Sequence, residues 1–170
     1  LNAVLGVIRT DPRRAEAALE ELSDLFRVLM QENRELVRLS DEIAVARQYL
    51  NLERLRLGDR LQVKWDIQAC PPDALMPPLM LQPLLENAVY HGIEPCETAG
   101  EIHIGFSRRG DSLLIEMTNP YAAHANQHVG NQMALANIRE RLMLFYDLDA
   151  QLETEAVSAT GMYKVRITIP

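Results

Sequence analysis

The sequence runs to 170 residues, enough for one ordinary domain with a sizeable core and a short helical appendage. Apolar residues make up 48% and charged residues 24%, a balance that excludes a disordered or fibrous chain. The formal net charge of −7 opposes broad attraction to nucleic-acid phosphates, so direct nucleic-acid binding is not expected.

Cys70 and Cys96 lack the spacing of a disulfide framework and read as free thiols in a reducing compartment. No run of eighteen or more apolar residues occurs, and Leu1 to Ile8 lack the basic flank and cleavage pattern of a signal peptide. The chain starts without methionine, inside a helical pattern of Leu1, Val4, Leu5 and Ile8. It is therefore expected to be cut from a longer chain, with any membrane segment in the missing N-terminal part.

Asp11 and Pro12 supply a helix cap and a first-turn proline, and Ala18, Leu22, Leu25, Phe26, Leu29 and Met30 follow at helical spacing. Ser40 is a second candidate cap, with Asp41 and Glu42 in the first turn of a helix that Gly58 closes after Leu57. From Leu61 the period switches to alternation through Val63, Trp65 and Ile67, which predicts a half-buried strand. The Pro71-Pro72 and Pro77-Pro78 pairs bracket a connector, and Pro78 is placed to start an apolar helix through Leu81, Leu84, Leu85 and Ala88.

Ile102, Ile104 and Phe106, then Leu113, Ile115 and Met117, alternate on either side of Arg109-Gly110-Asp111, which predicts a hairpin. A polar stretch from Asn119 to Asn131 precedes a helix through Ile138, Leu142 and Phe145. The chain ends on a strand near Leu152 paired with Tyr163, Val165, Ile167 and Ile169 around Gly161. The whole reads as an α/β fold, helices first and then mixed strands and helices, with the boundary between 1–57 and 58–170.

The densest polar cluster in an apolar helix is Glu86-Asn87-Ala88-Val89-Tyr90-His91-Gly92. Burying Glu, Asn and His costs desolvation unless each finds a partner, and Asn87 and His91 share a helical face at i, i+4. A carboxamide oxygen suits magnesium, which binds phosphates alongside few protein ligands. Glu86 is placed to orient or deprotonate a nucleophile, and His91 to donate to a phosphate oxygen. The bland alternative is a helix with a satisfied Asn and a core histidine.

The wider string PPLMLQPLLENAVYHGI, Pro77 to Ile93, resembles the N box of LytS-type sensor histidine kinases, P-P-x-x-L-Q-P-L-V-E-N-A-x-x-H-G. Leu39 to Leu61 is similar to that family's stretch between dimerising helix and catalytic domain, L-x-x-E-x-x-x-x-x-x-Y-L-x-I-E-x-x-R-x-x-D-R-L. Ala134 to Tyr146 resembles the L-x-N-x-R-E-R-L helix after the ATP lid, and Gly161 to Pro170 the closing G-T-x-V-x-I-x-I-P strand. Of the phosphoacceptor motif H-F-L-F-N-x-L-N only Leu1-Asn2 remains, so no histidine of this chain stands at the phosphoacceptor position.

The resemblance implies a Bergerat-type (GHKL ATPase) two-layer α/β sandwich with a mixed sheet, preceded by helices that pair in a homodimer. It implies ATP and magnesium as ligands: Glu86 catalytic, Asn87 on the metal, and Asn87, His91, Asn119, Gly130, Asn137 and Arg141 on the nucleotide. Phosphate would pass to a histidine upstream of Leu1 and then to a response regulator of the LytTR type. The chain would be the cytoplasmic domain of a bacterial inner-membrane protein.

Two boxes depart from the family. Asn119-Pro120-Tyr121 replaces D-N-G-x-G, and Gly130-Asn131-Gln132-Met133-Ala134-Leu135 replaces G-x-G-L-x-L. In these thinned motifs the chain resembles the alginate-biosynthesis regulatory sensors of the family. Asn119 offers a neutral acceptor, weaker than a carboxylate by about 1 kcal/mol. The departures motivate the alternative of a non-catalytic Bergerat scaffold that signals through dimer and partner contacts. An ATP-hydrolysing GHKL machine would need a transducer domain that the sequence does not display. Arg139 reads equally as a solvated arginine, His124 and His128 as lid residues, and Met80, Met133 and Met143 as core filler.

Overall fold

The computed structural model describes residues 35–67, 73–121, 128–157 and 159–170, besides Pro12. The amphipathic segment from Asp11 to Met30, Cys70 and His124 lie outside the described residues, as do the side chains of residues 128–132.

Strand β1 (Val37–Arg38) leads into helix α1 (Leu39–Leu57). The helix forms because Leu39, Ile43, Ala46 and Leu50 recur at helical spacing and bury one stripe. It starts one residue before Ser40, with Arg38 at the cap position and no side-chain cap. The amide of Leu39 instead donates to the carbonyl of Ala74 at 2.8 Å, so tertiary pairing takes the place of the expected serine cap. Gly58 closes α1 as expected, at φ 56, and a single 3-10 turn (Gly58–Arg60) delivers the chain to β2 (Leu61–Asp66).

Strand β3 (Leu75–Met76) pairs antiparallel with β1, a two-stranded ribbon too short to show as alternation in the sequence. Helix α2 (Leu81–Ala88) follows, and its last turn widens into a π-helical segment (Val89–Ile93). The expected start at Pro78 is corrected: the chain bends through 78–80, with Leu79 at φ 57, before helical geometry begins. Strands β4 (Gly100–Arg109) and β5 (Ser112–Pro120) form the expected hairpin, turning at Gly110 with φ 64. Helix α3 (His128–Tyr146) precedes β6 (Gln151–Val157) and β7 (Met162–Ile169), which turn at Gly161.

The main sheet has the order β2-β4-β5-β7-β6. Strand β2 runs parallel to β4, and the remaining pairs are antiparallel, which makes the sheet mixed. Register aligns Phe106, Ile115 and Ile167 in one inward row and Ile104, Met117 and Val165 in the next. Against these rows pack Leu39, Ile43, Ala46 and Leu50 of α1, Leu81, Leu84, Leu85 and Ala88 of α2, and Leu135, Ile138 and Leu142 of α3. Each such large side chain contributes about 1.5–3 kcal/mol on burial, so this single core holds the sheet and its helices together. The parallel β2–β4 pair needs a long crossover, and α2 lies within it.

Among the described residues no helix is long and apolar enough to cross a membrane. Met80 is fully buried as expected, whereas Met133 (64% exposed) and Met143 (52% exposed) are corrected to surface positions on α3. Leu135, Ile138 and Leu142, the buried residues of that helix among the described ones, occupy its other side.

Candidate functional site

The helix that carries Glu86, Asn87 and the start of the His91 segment is held at its N-terminus by a residue of α1. Glu42 is 4% exposed, and its carboxylate accepts hydrogen bonds from the amides of Leu79 (2.6 Å), Met80 (2.9 Å) and Leu81 (3.2 Å). These are donors that a helix start leaves unsatisfied, and Pro83 in the first turn has none to satisfy. Burial raises the Glu42 carboxyl above the usual carboxylate range, while the three amides and the Arg141 charge pull it down. Arg141, from α3, donates to the carbonyl of Pro78, one residue before this cradle.

The other end of the segment meets β5. The inward row Leu113, Ile115, Met117 continues one step to Asn119, which is 4% exposed, so strand alternation places a carboxamide where a core side chain would stand. Its Nδ2 donates to the carbonyl of Pro120, and its Oδ1 is buried with no partner among the described residues. Gly92 lies against it: a Cβ there would come within 2.6 Å of Asn119 Nδ2 and 2.8 Å of the Pro120 carbonyl oxygen. Only glycine allows this approach. His91 is 9% exposed, contacts the Tyr90 ring edge to face at 4.8 Å, and keeps Nδ1 buried without a partner. Burial lowers its pKa, opposed by the Glu94 charge, so the imidazole is held neutral with one unsatisfied nitrogen.

Among the described residues four buried side-chain atoms lack a hydrogen-bond partner, Arg60 Nε, Gln82 Oε1, His91 Nδ1 and Asn119 Oδ1; of these, His91 precedes Gly92 in the chain and Asn119 lies against it, so both fall where a ligand can supply the missing bond. Asn87, 8% exposed on α2, is buried and engaged within the protein. The expectation that Asn87 and His91 share one straight α-helical face is corrected, because α-helical geometry ends at Ala88 and His91 stands in the wider π turn.

Glu86 forms a separate cluster. It is exposed, and Gln82 Nε2 donates to its Oε1 at 2.8 Å. With Gln82, Asn137 and Arg141 it lines a cleft of about 320 Å³ between α2 and α3. Asn137 is exposed there, and the Arg141 guanidinium is engaged with Pro78. Gly130 lies in the first turns of α3. The residues singled out from the sequence thus fall into an α2–α3 cleft and a buried meeting point of Gly92 and Asn119, with Asn87 between them along the helix. Arg139 is exposed, and Cys96 is a free, partly buried thiol.

Glu42, Gly92 and Arg60 were not singled out. Arg60 Nη2 donates to the carbonyls of Glu94 (3.1 Å), Ile93 (3.4 Å) and Cys96 at the far end of the π segment. Glu42 had a readable signal: it falls beside Leu39, Ile43, Ala46 and Leu50 in an otherwise apolar stripe, and an acid there must have a buried partner. Arg60 and Gly92 stand at motif positions, the R of D-R-L and the G of the closing H-G, but nothing local names their partners, which are 33 or more and 27 residues away.

A family model described as histidine kinase matches residues 1–61. The chain is 30% identical over 156 residues to the sensor histidine kinase YpdA of Escherichia coli K12, covering 86% of this chain and 27% of that protein. It is 31% identical over 163 residues to the sensor protein LytS of Streptococcus agalactiae serotype V, again 86% of this chain and 27% of the relative. The chain therefore spans about a quarter of the length of these relatives. Among solved structures it is similar to the catalytic domain of histidine kinase ThkA, at TM-score 0.59 and 12% identity, covering 80% of this chain and 95% of that one. Histidine kinase AdeS of Acinetobacter baumannii matches at TM-score 0.59 and 14% identity, over 97% and 82%. These last two likenesses show a common fold, the two-layer α/β sandwich of histidine kinase catalytic domains.

Proposed function

From the premise that the chain belongs to the LytS-type sensor histidine kinases, we propose that residues 58–170 bind ATP and direct its γ-phosphate to a histidine of the full-length protein that lies upstream of Leu1. Residues 1–57 lead into this unit from the dimerising helices, α1 being the part of that lead that packs into the same core.

The observation that carries the reading is the close approach of Gly92 to Asn119, with Asn119 Oδ1 and the Nδ1 of the adjacent His91 both buried without a partner among the described residues. An adenine amino group is a donor suited to Asn119 Oδ1, and the absent Cβ of Gly92 leaves the backbone close enough to line a flat ring. Neutral His91 supplies a hydrogen-bond donor or acceptor at Nδ1 as its tautomer requires. Asn87 would hold magnesium, which supplies charge neutralisation at the phosphates. The amides at the start of α3 would receive phosphate as helix N-termini do, with Gly130 among them. Glu86, in the open α2–α3 cleft with Asn137 and Arg141, orients the incoming imidazole or takes its proton.

The partners that follow are a second copy of the protein and a response regulator, of the LytTR type. The chain would stand on the cytoplasmic side, joined to the membrane through segments upstream.

A specific observation favours the second reading, a scaffold without catalysis. Where the family's motif turns away in glycines, β5 here continues through Pro120, paired with Met162, and the Tyr121 amide donates to Gly161 at 2.7 Å. Tyr121 also packs on Tyr163, with ring centroids 5.8 Å apart. Calorimetric titration with ATP, with and without magnesium, beside Asn87→Ala separates the two. Magnesium-dependent binding lost in the variant supports the kinase reading; no heat at millimolar ATP supports the scaffold.

A further inference from the structure

The segment carrying Asn87 and His91 is gripped at both of its ends by residues of one continuous stretch, α1 and the 3-10 turn that follows it. At the N-terminal end stands Glu42, with its three backbone acceptor contacts to Leu79, Met80 and Leu81. At the C-terminal end stands Arg60, on the carbonyls of Ile93, Glu94 and Cys96. Arg56, one turn before Arg60, pairs with Glu94 and with Glu53 at 2.6 Å, which braces the second grip. An anion meets the amide end and a cation the carbonyl end, so each contact also complements the dipole of the segment between them. The remaining fastening at the amide end is Arg141 on Pro78, from the helix that follows the region expected to hold the lid.

A helix fastened at one end can swing on the other, whereas one fastened at both ends to the same stretch, here to α1 through Glu42 and Arg56 and to the 3-10 turn closing α1 through Arg60, moves with that stretch. We propose that Glu42 and Arg60 are positioning residues that make α1 and the Asn87–His91 segment one mechanical unit, so that a displacement of α1 is delivered directly to the groups facing the nucleotide. This rests on the nucleotide reading above for what α1 would control, but the clamp itself can be measured without nucleotide. The coupling is reciprocal: a ligand that orders Asn87 and His91 must also order α1.

The test is amide hydrogen exchange on the whole chain, as wild type, Glu42→Gln and Arg60→Met. Glu42→Gln keeps the size but replaces one acceptor oxygen by a donor facing amides; Arg60→Met keeps the stem and removes the donors. Without nucleotide, either variant is expected to lose about tenfold protection along residues 84–93, with the amides of β4, β5 and β7 unchanged. With magnesium and ATP added, wild-type α1 amides gain protection and those of either variant do not. Loss spread evenly over the sheet as well as the segment, or no loss at all, overturns the clamp, and so does nucleotide binding that leaves wild-type α1 unchanged. Should wild type bind no nucleotide, the nucleotide reading fails, and the nucleotide-free comparison still decides the clamp. If one variant does not fold, the other, at the opposite end, carries the same expectation.

Discussion

The Nδ2 of Asn119 donates to the carbonyl oxygen of Pro120, its chain neighbour, at 2.7 Å. This bond sets which way the carboxamide faces and leaves Oδ1 as the buried atom without a partner among the described residues. A carboxylate at the same place would set two oxygens, one against the Pro120 carbonyl and both buried. Restoring the aspartate usual in the family is therefore expected to weaken this chain. Asn119→Asp should lose about 1–3 kcal/mol of stability in denaturant titration, without tighter nucleotide binding. A stable Asn119→Asp protein with improved ATP affinity would show that the Pro120 bond does not govern the site.

Gly92→Ala inserts a methyl where 2.6 Å separates its position from Asn119 Nδ2 and 2.8 Å from the Pro120 oxygen. Backbone lies on one side of this contact, so strand β5 or the π segment must shift. The expected cost is about 1–3 kcal/mol in thermal or denaturant unfolding, with nucleotide affinity falling further than stability alone accounts for. Gly105, beside which a Cβ would meet nothing within 4 Å, supplies the control: Gly105→Ala should leave ATP titrations unchanged.

Much of the fold was legible because it repeats. The β4–β5 hairpin, the strand after Gly58, helix α3 and the β6–β7 pair all follow from periodicity and from glycines at Gly58, Gly110 and Gly161, each at positive φ. The N box spans the helix whose buried polar residues are Gln82, Asn87 and, in its π turn, His91, and Asn119 is the buried polar residue of the strand it meets. What was not legible was long-range. The helix begins at Leu81 rather than Pro78 because Glu42, thirty-seven residues earlier, captures the amide of Leu79 and holds it at φ 57. The short β1–β3 ribbon is held by pairing that no local pattern encodes. Glu86 and Asn87 are adjacent in sequence, yet one lies in the α2–α3 cleft and the other in the interior, as the roughly 100° step of a helix requires.

His91 predicts a pH dependence with a definite sign. Its pKa is lowered by burial below the ordinary 6.5, so between 6.5 and the lowered value the unfolded chain binds the proton more readily than the folded one. Stability from this residue is present above 6.5 and is lost as pH falls below it. Glu42, whose carboxyl is raised, acts with the opposite sign, but it is common to wild type and a His91→Gln variant. The difference in unfolding free energy between the two proteins should therefore shift against wild type from pH 7.5 to 5.5. A difference that stays flat over that range would mean that the imidazole gains its proton as easily folded as unfolded.

A substitution far from the polar groups separates folding from binding. Ile167 is fully buried in β7, with Ile115 of β5 and Leu152 of β6 as register partners on either side. Ile167→Ala removes core volume that rigid neighbouring strands refill only in part, at an expected cost of about 2–5 kcal/mol. Its denaturation midpoint should fall while the slope stays the same, since the surface exposed on unfolding barely changes. Below the unfolding transition, magnesium-ATP affinity should match wild type, because the unsatisfied atoms of Asn119 and His91 lie on residues whose own contacts are untouched. An affinity that falls in step with stability would instead mean that the nucleotide site is held together by global packing, and that the close approach of Gly92 to Asn119 has no separate role.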